Sequence, residues 1–195
     1  MNLFGAAVLG FLLGSIPFGL VLTQLGGAGD PRRIGSGNIG ATNVLRTGRK
    51  DLAAATLVLD GFKGTLAVLL GERFSGAEEA GLVAGFAAVL GHMFTPWLGF
   101  AGGKGVATGL GTLLGAAWPV GLLACAVWIG AALLTRISSL SALLAFAAAP
   151  ALAAWLAGRG EVVLALGICG FVWLRHAANI RRLIDGTEPR IGDRR

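Results

Sequence analysis

Three short stretches of this chain carry most of the side chains able to meet a polar substrate. The first, IGSGNIGATNVLRTGRK (residues 34–50), is small and glycine-rich. Its Gly35, Gly37 and Gly40 let backbone N–H groups approach an anion, while Ser36, Asn38, Thr42 and Asn43 add hydrogen bonds and Arg46 adds charge. The three glycines match the GxGxxG spacing of dinucleotide-binding loops, and Asp60 follows where a ribose-binding acid belongs. No strand precedes Gly35, however, and Asp60 lies inside an apolar run, so that reading is rejected. The second stretch, GFAGGKG (residues 99–105), places Gly102, Gly103, Lys104 and Gly105 at the start of a predicted helix, where bare backbone donors, a helix N-terminus and one cation favour an anion. It is not a Walker A loop, since Leu98 and Gly105 stand where glycine and Ser/Thr are required, and no Mg-nucleotide is implied. The third stretch, RHAANIRRLIDGTEPRIG (residues 175–192), sets His176 and Asn179 three residues apart on one helical face, with Arg181 and Arg182 continuing a basic rim. Taken alone, a histidine at the end of an apolar run packs at an interface as readily as it does catalysis.

The elements that position these stretches are predicted to lie in a membrane. The chain is 55% hydrophobic and 13% charged, with a mean hydropathy of +0.76. A soluble fold carries about 25% charged residues. Glycine reaches 33 of 195 residues, which suits helices packed backbone to backbone in lipid. Two cysteines, Cys125 and Cys169, both within apolar runs, exclude a disulfide framework or a cysteine-rich metal site. Two histidines exclude a multi-histidine zinc site, so neither a metal nor a cofactor is expected. The basic residues flank apolar runs instead of covering a soluble surface, which argues against nucleic acid as a partner. The first residues lack the basic segment and cleavage site of a signal peptide and read as a retained first span.

The fold class expected is all-α: a polytopic integral membrane helical bundle of about seven transmembrane helices, forming a single domain over residues 1–195. The apolar runs are 3–25, 52–71, 80–98, 106–117, 118–134, 140–157 and 162–174, against about 20 residues needed to cross. Ala116-Ala117-Trp118-Pro119 offers a tight turn with a proline opening the next helix, which divides residues 106–134 into two shorter spans. Seven spans bring Arg32, Arg33, Arg46, Arg49, Lys50, Lys104, Arg136, Arg175, Arg181, Arg182, Arg190, Arg194 and Arg195 to one side. Only Arg73 and Arg159 fall on the other, so the N-terminus is expected outside and the C-terminus in the cytoplasm. A five-span arrangement competes. Pairs such as Gly10/Gly14, Gly81/Gly85 and Gly111/Gly115 read as close helix packing.

Asp60 and Lys63, three residues apart inside the second run, share a helix face. Each charge at mid-membrane costs about 2.5 to 3.5 kcal/mol on insertion scales. Either they form a satisfied ion pair that staples the bundle, or they line a polar cavity; sequence leaves both open.

In combination, SGNIGATNVLR (residues 36–46), HMFTPWLGFAGGKGVAT (residues 92–108) and HAANIRRLIDGTE (residues 176–188), with LDGFK in the second run and RISSLSAL at 136–143, closely resemble the motifs of the bacterial acyl-phosphate:glycerol-3-phosphate acyltransferases, the PlsY family. The resemblance covers nearly the whole chain. It departs at Ala101, where the family commonly has a lysine. It implies transfer of a fatty acyl group from acyl phosphate to the sn-1 hydroxyl of sn-glycerol 3-phosphate, giving lysophosphatidic acid and inorganic phosphate, the first step of phospholipid biosynthesis. Its implied setting is the bacterial inner membrane, with the active site at the cytoplasmic face, and its partners are glycerol 3-phosphate, acyl phosphate and membrane lipid, with no obligatory protein partner. On these grounds Ser36, Arg46, Lys104, His176 and Asn179 are expected to be catalytic. Gly37, Asn38, Thr42, Asn43, Gly102, Gly103, Gly105, Ser139 and Ser141 are expected to bind substrate, and Asp60, Lys63 and Glu188 to support them. Soluble-domain glycerolipid acyltransferases carry His with Asp five positions on; here Trp97 follows His92 and Arg181 follows His176 at that spacing. The rival function is an organic-phosphate transporter, since interrupted helices presenting glycine-rich ends to an anion serve that task too.

Overall fold

In the computed structural model residues 1–193 are described; Arg194 and Arg195, placed on the basic side above, lie outside them. The described residues form ten α-helices and no strand: α1 (Leu3–Ser15), α2 (Phe18–Leu25), α3 (Ala41–Val44), α4 (Lys50–Ser75), α5 (Glu78–Met93), α6 (Val106–Ala116), α7 (Trp118–Thr135), α8 (Ser138–Leu156), α9 (Arg159–Arg175) and α10 (Ala177–Ile184). The distribution of side-chain size is that of a bundle in lipid. Ala6, Ala67, Ala84, Ala88, Ala145 and Ala149 are fully buried, whereas Leu25, Phe4, Leu134 and Trp155 are more than three-quarters exposed. Small residues inside let backbones approach, and the large apolar groups turn outward to solvent that must itself be apolar.

The glycine pairs lie at these close approaches. A Cβ on Gly10 or Gly14 would run into the backbone of Ala84 or Ala88, and one on Gly111 into the backbone of Gly61. These contacts join α1 to α5 and α6 to α4. A second cluster, around Phe146, Leu113, Ile168 and Val172, joins α6, α8 and α9.

The expected break between residues 106 and 134 is present: Ala117 is extended, α6 ends at Ala116, and Pro119 sits in the first turn of α7. Two other expected runs are interrupted. The first divides at Ile16-Pro17, because proline has no N–H to continue the ladder and pushes the residue before it out of the helical region; Ile16 has ψ 115°. The third ends at Met93 and gives way to a turn, with Thr95 extended before Pro96. The last helix bends by 63° at His176.

Among the described residues five units can cross a bilayer by length and composition: Leu3–Leu25, Lys50–Ser75, Glu78–Leu98, Trp118–Thr135 and Ser138–Leu156, with a sixth if α9 and α10 count as one. With 11 residues, α6 rises only about 16 Å, roughly half of a 30 Å hydrocarbon core. Against about seven expected, with two of them shorter, length and composition support five or six full spans among the described residues, and α6 is the short one.

The interruptions coincide in space. The Met1 ammonium donates to Phe74 O at one end of α4, while Arg49 Nη1 at the other end donates to Gly26 O. Between these ends, Lys63 reaches the carbonyl of Ile16 and the ring of His92, and Arg175 reaches the carbonyls of Gly102 and Gly103. Irregular backbone within an apolar bundle is tolerated only where protein or a polar cavity satisfies it, so this level is where a site belongs.

Candidate functional site

Two polar clusters occupy that level. The inner one is closed. Lys63 Nζ donates to Asp60 Oδ1 at 2.7 Å and to Ile16 O at 2.8 Å, and lies 2.9 Å from His92 Nδ1. An ammonium has three N–H donors, and all three are placed. Its side chain and that of Asp60 are 3% and 2% exposed. The Phe18 ring lies 5.6 Å from the same nitrogen. Since Lys63 can only donate, His92 Nδ1 accepts. Pro17 breaks the helix and Lys63 takes the carbonyl at the break, which gives this charge pair a structural reason to be buried.

The glycine-rich loop rests on this cluster. Gly102 N donates to Met93 O at 3.1 Å and Gly103 N to His92 O at 3.0 Å. These N–H groups are turned onto the end of α5, whereas bare donors were expected at both positions. From the other side Arg175 Nη2 donates to Gly102 O at 2.9 Å and its Nε to Gly103 O at 3.2 Å, while the guanidinium stacks 5.6 Å from the Phe94 ring centroid. Gly103 packs so closely on the His92 ring that a Cβ would collide with it, and Gly105 combines φ +77° with contact against Met93. The sequence repeats glycine here because the loop is pressed onto α5. What remains for an anion is Lys104 and the first turn of α6, whose leading N–H groups have no partner within the helix.

The outer cluster reaches the surface at Arg182, 38% exposed, while Ser139, Asn179 and His176 are buried, and it carries excess positive charge. Glu188 Oε1 accepts from Ser139 Oγ at 2.7 Å and from Asn179 Nδ2; Glu188 Oε2 accepts from Arg182 Nε at 2.7 Å. Burial works to raise the Glu188 pKa, but these three hydrogen bonds outweigh it and hold the carboxyl below its ordinary range. Lys104 is close enough to feel Glu188, Arg182 and Arg175; burial, reinforced by the two arginines and opposed by Glu188, draws its pKa down to about 8. His176 is 2% exposed and its Nδ1 donates to Val172 O at 2.8 Å, which leaves Nε2 as the acceptor of a neutral ring. Burial, with Lys104 and Arg175 adding to it, pulls its pKa to about 4. Lys104 and Arg182 thus share one carboxylate while Arg175 adds a third positive charge near Lys104, an imbalance that an arriving anion would correct.

The first polar stretch forms a wall beside this cluster. Asn43 is its clasp: Nδ2 donates to Pro31 O at 2.6 Å, Asn38 O at 2.7 Å and Ile34 O at 3.2 Å, and Oδ1 accepts from Ser36 N. Asn38 Oδ1 accepts from Gly40 N, and Gly37 N donates to Ile34 O. The amides of Asn38 and Asn43 therefore shape the loop, and Ser36 stays exposed on it. Arg46 lays its side chain over Gly35, whose φ of +52° and missing Cβ make room. Thr42 Oγ1 sits 3.1 Å from Ser138 Oγ and joins this wall to the start of α8. Ser139 faces Glu188, but Ser141, fully buried, bonds back to the carbonyl of Ile137, the residue that caps its own helix. Sequence spacing missed the part played by His92 and Arg175. Arg175 lies 72 and 73 residues from its carbonyl partners, and no local pattern marks such a contact.

Two outward grooves, about 340 Å³ beside Ala7 and Phe11 and about 270 Å³ beside Trp128 and Leu133, are lined mainly by apolar side chains. Neither carries the charged side chains of the outer cluster around Lys104 and Glu188.

The glycerol-3-phosphate acyltransferase family model matches residues 4–186. The chain belongs to the glycerol-3-phosphate acyltransferase family. A protein of that name from Paramagnetospirillum magneticum is 60% identical over 195 residues, covering 100% of this chain and 96% of the relative. One from Rhodospirillum rubrum is 60% identical over 193 residues, covering 95% and 89%. Among solved structures, the glycerol 3-phosphate form of PlsY, an integral membrane glycerol 3-phosphate acyltransferase, superposes with a TM-score of 0.90 at 37% identity over 97% of this chain and 96% of that one. Its lysophosphatidic acid form gives 0.88 at 36%, over 97% and 95%.

Proposed function

We propose that this chain, as one domain over residues 1–195, transfers a fatty acyl group from acyl phosphate to the sn-1 hydroxyl of sn-glycerol 3-phosphate. The products are lysophosphatidic acid and inorganic phosphate. The observation that carries the reading is the outer cluster: Lys104 and Arg182 beside a single carboxylate, with Arg175 near Lys104 and with neutral His176 and Asn179 at hand, in a chain of this family. Both substrates bring phosphate, and cations in a partly water-excluded site stabilise it.

An acyl phosphate is a mixed anhydride, so positioning can supply much of the catalysis. The glycerol hydroxyl oxygen attacks the acyl carbon, and the bond from that carbon to the phosphate oxygen breaks. Lys104 holds a phosphate; Ser36 and Arg46 bind and polarise; His176 and Asn179 orient the glycerol. A histidine with a pKa near 4 is a weak base at neutral pH. The departing phosphate, with its own basic oxygens, is the better acceptor for the hydroxyl proton.

The same reading sets the basic end at the cytoplasmic face of the inner membrane and the N-terminus outside, with seven passes of which α6 is a half-length one. The apolar donor then keeps its chain in the bilayer while its head meets a water-soluble acceptor. Purified protein given labelled glycerol 3-phosphate and an acyl phosphate in detergent tests the assignment. Labelled lysophosphatidic acid formed without a membrane gradient is the expected result. Uptake into liposomes with no acylated product would establish a transporter instead.

A further inference from the structure

We infer that Arg175 is a positioning residue that fixes the separation of Lys104 and His176. The inference rests on the acyl-transfer reading above. It comes from a double adjacency. Arg175 immediately precedes His176 in the chain, and its guanidinium holds the carbonyls of Gly102 and Gly103, the two residues immediately before Lys104. One side chain therefore ties together the backbones that carry two site residues 72 positions apart. The tie is rigid. The planar guanidinium presents two donors to two successive carbonyls and stacks on Phe94, while the N–H groups of the same two glycines are held by Met93 O and His92 O.

The architecture makes such a tie necessary. The loop is fixed to α5 through its N–H groups, but α9 bends by 63° at His176, so the loop does not by itself set where His176 stands relative to Lys104. Arg175 spans the gap between them. It also contributes charge, because its field is among those that hold Lys104 down. Lysine at position 175 keeps the charge but offers no planar pair of donors; glutamine keeps some hydrogen bonding and loses the charge.

The experiment compares wild type, Arg175→Lys and Arg175→Gln as purified proteins, with glycerol 3-phosphate and acyl phosphate, over a range of pH. Folded fraction is read by size exclusion and thermal unfolding, and rates are expressed per folded molecule. Arg175→Lys is expected to lower kcat about tenfold or more with a smaller change in KM, and to leave the basic limb of the pH profile in place. Arg175→Gln is expected to lower kcat at least as much and to move that limb to higher pH, because removing a neighbouring positive charge lets Lys104 hold its proton longer. Wild-type kcat per folded molecule in Arg175→Lys would overturn the inference. So would Arg175→Gln with an unmoved limb, or a loss confined to the amount of folded protein in both variants. Absence of turnover in the wild type with acyl phosphate would instead overturn the donor assignment, which separates the two failures.

Discussion

The inner and outer polar clusters lie side by side, yet they handle charge in opposite ways. Around Lys63 each donor has an acceptor, one cation faces one carboxylate, and both side chains are buried. Lys104 feels two arginines, Arg175 and Arg182, against one carboxylate, Glu188, and Arg182 is more than a third exposed. A buried charge must be fully satisfied or it costs several kcal/mol. A site built to receive an anion must keep positive charge in hand, and it can do so only where water reaches it in the meantime. The comparison teaches that satisfaction suits a structural cluster, and that the imbalance around Lys104 is what the proposed site rests on.

The sharpest way to break this comparison is to remove Lys63. Lys63→Met leaves Asp60 buried without its partner and should cost about 3 to 5 kcal/mol, seen as a large fall in thermal stability in detergent. Adding Asp60→Leu should restore most of it, since an apolar pair needs no partner. A single variant as stable as wild type but inactive would move the inner cluster into the active site.

Lys104→Gln should do the reverse. Folding should be nearly unchanged, while kcat/KM falls about a hundredfold or more as the phosphate loses its cation. Parallel unfolding and turnover measurements read both. If the stability loss dominates, the two clusters are not distinct in kind.

The outer cluster also predicts a pH dependence. Lys104 holds an anion only while protonated, so activity should decline as pH rises through about 8, well below the usual lysine range. His176 stays neutral down to about pH 4 and should add no limb between pH 5 and 7. A rate profile limited by a group near pH 6.5 would show that His176 titrates as an ordinary histidine and would return it to the role of base. Glu188→Gln should be milder, a several-fold rise in KM for glycerol 3-phosphate, because Asn179, Ser139 and Arg182 lose the charge that orients them.

The smallest effect separates two serines that the sequence treats alike. Ser139→Ala should weaken activity by removing a donor to Glu188. Ser141→Ala should leave both activity and stability within about 0.5 kcal/mol, since its hydroxyl only returns to Ile137 O.

Membrane insertion, helical class, the break at Ala117 and the family were all legible in the sequence. They depend on local quantities: apolar run length, a proline, and motifs that persist over many residues. The interruptions at Ile16 and Met93 were legible in principle, since Pro17 and Pro96 stand beside them, but apolar composition on both sides hid them. Of the six glycines read as two anion loops, Gly35 clears space for Arg46, whereas Gly102 and Gly103 turn their N–H groups onto α5.

By itself, then, the sequence determined that this chain is an all-helical membrane protein of the glycerol-3-phosphate acyltransferase family, and which few polar residues interrupt its apolar runs. Only the tertiary structure decided how those residues divide. Whether Lys63 is a staple or a ligand depends on whether Ile16 O and His92 fill its remaining donors, and both come from other helices. Whether Arg175 is rim or tie depends on carbonyls 72 and 73 residues away. Charge satisfaction is a property of three-dimensional neighbours, and no spacing along the chain encodes it.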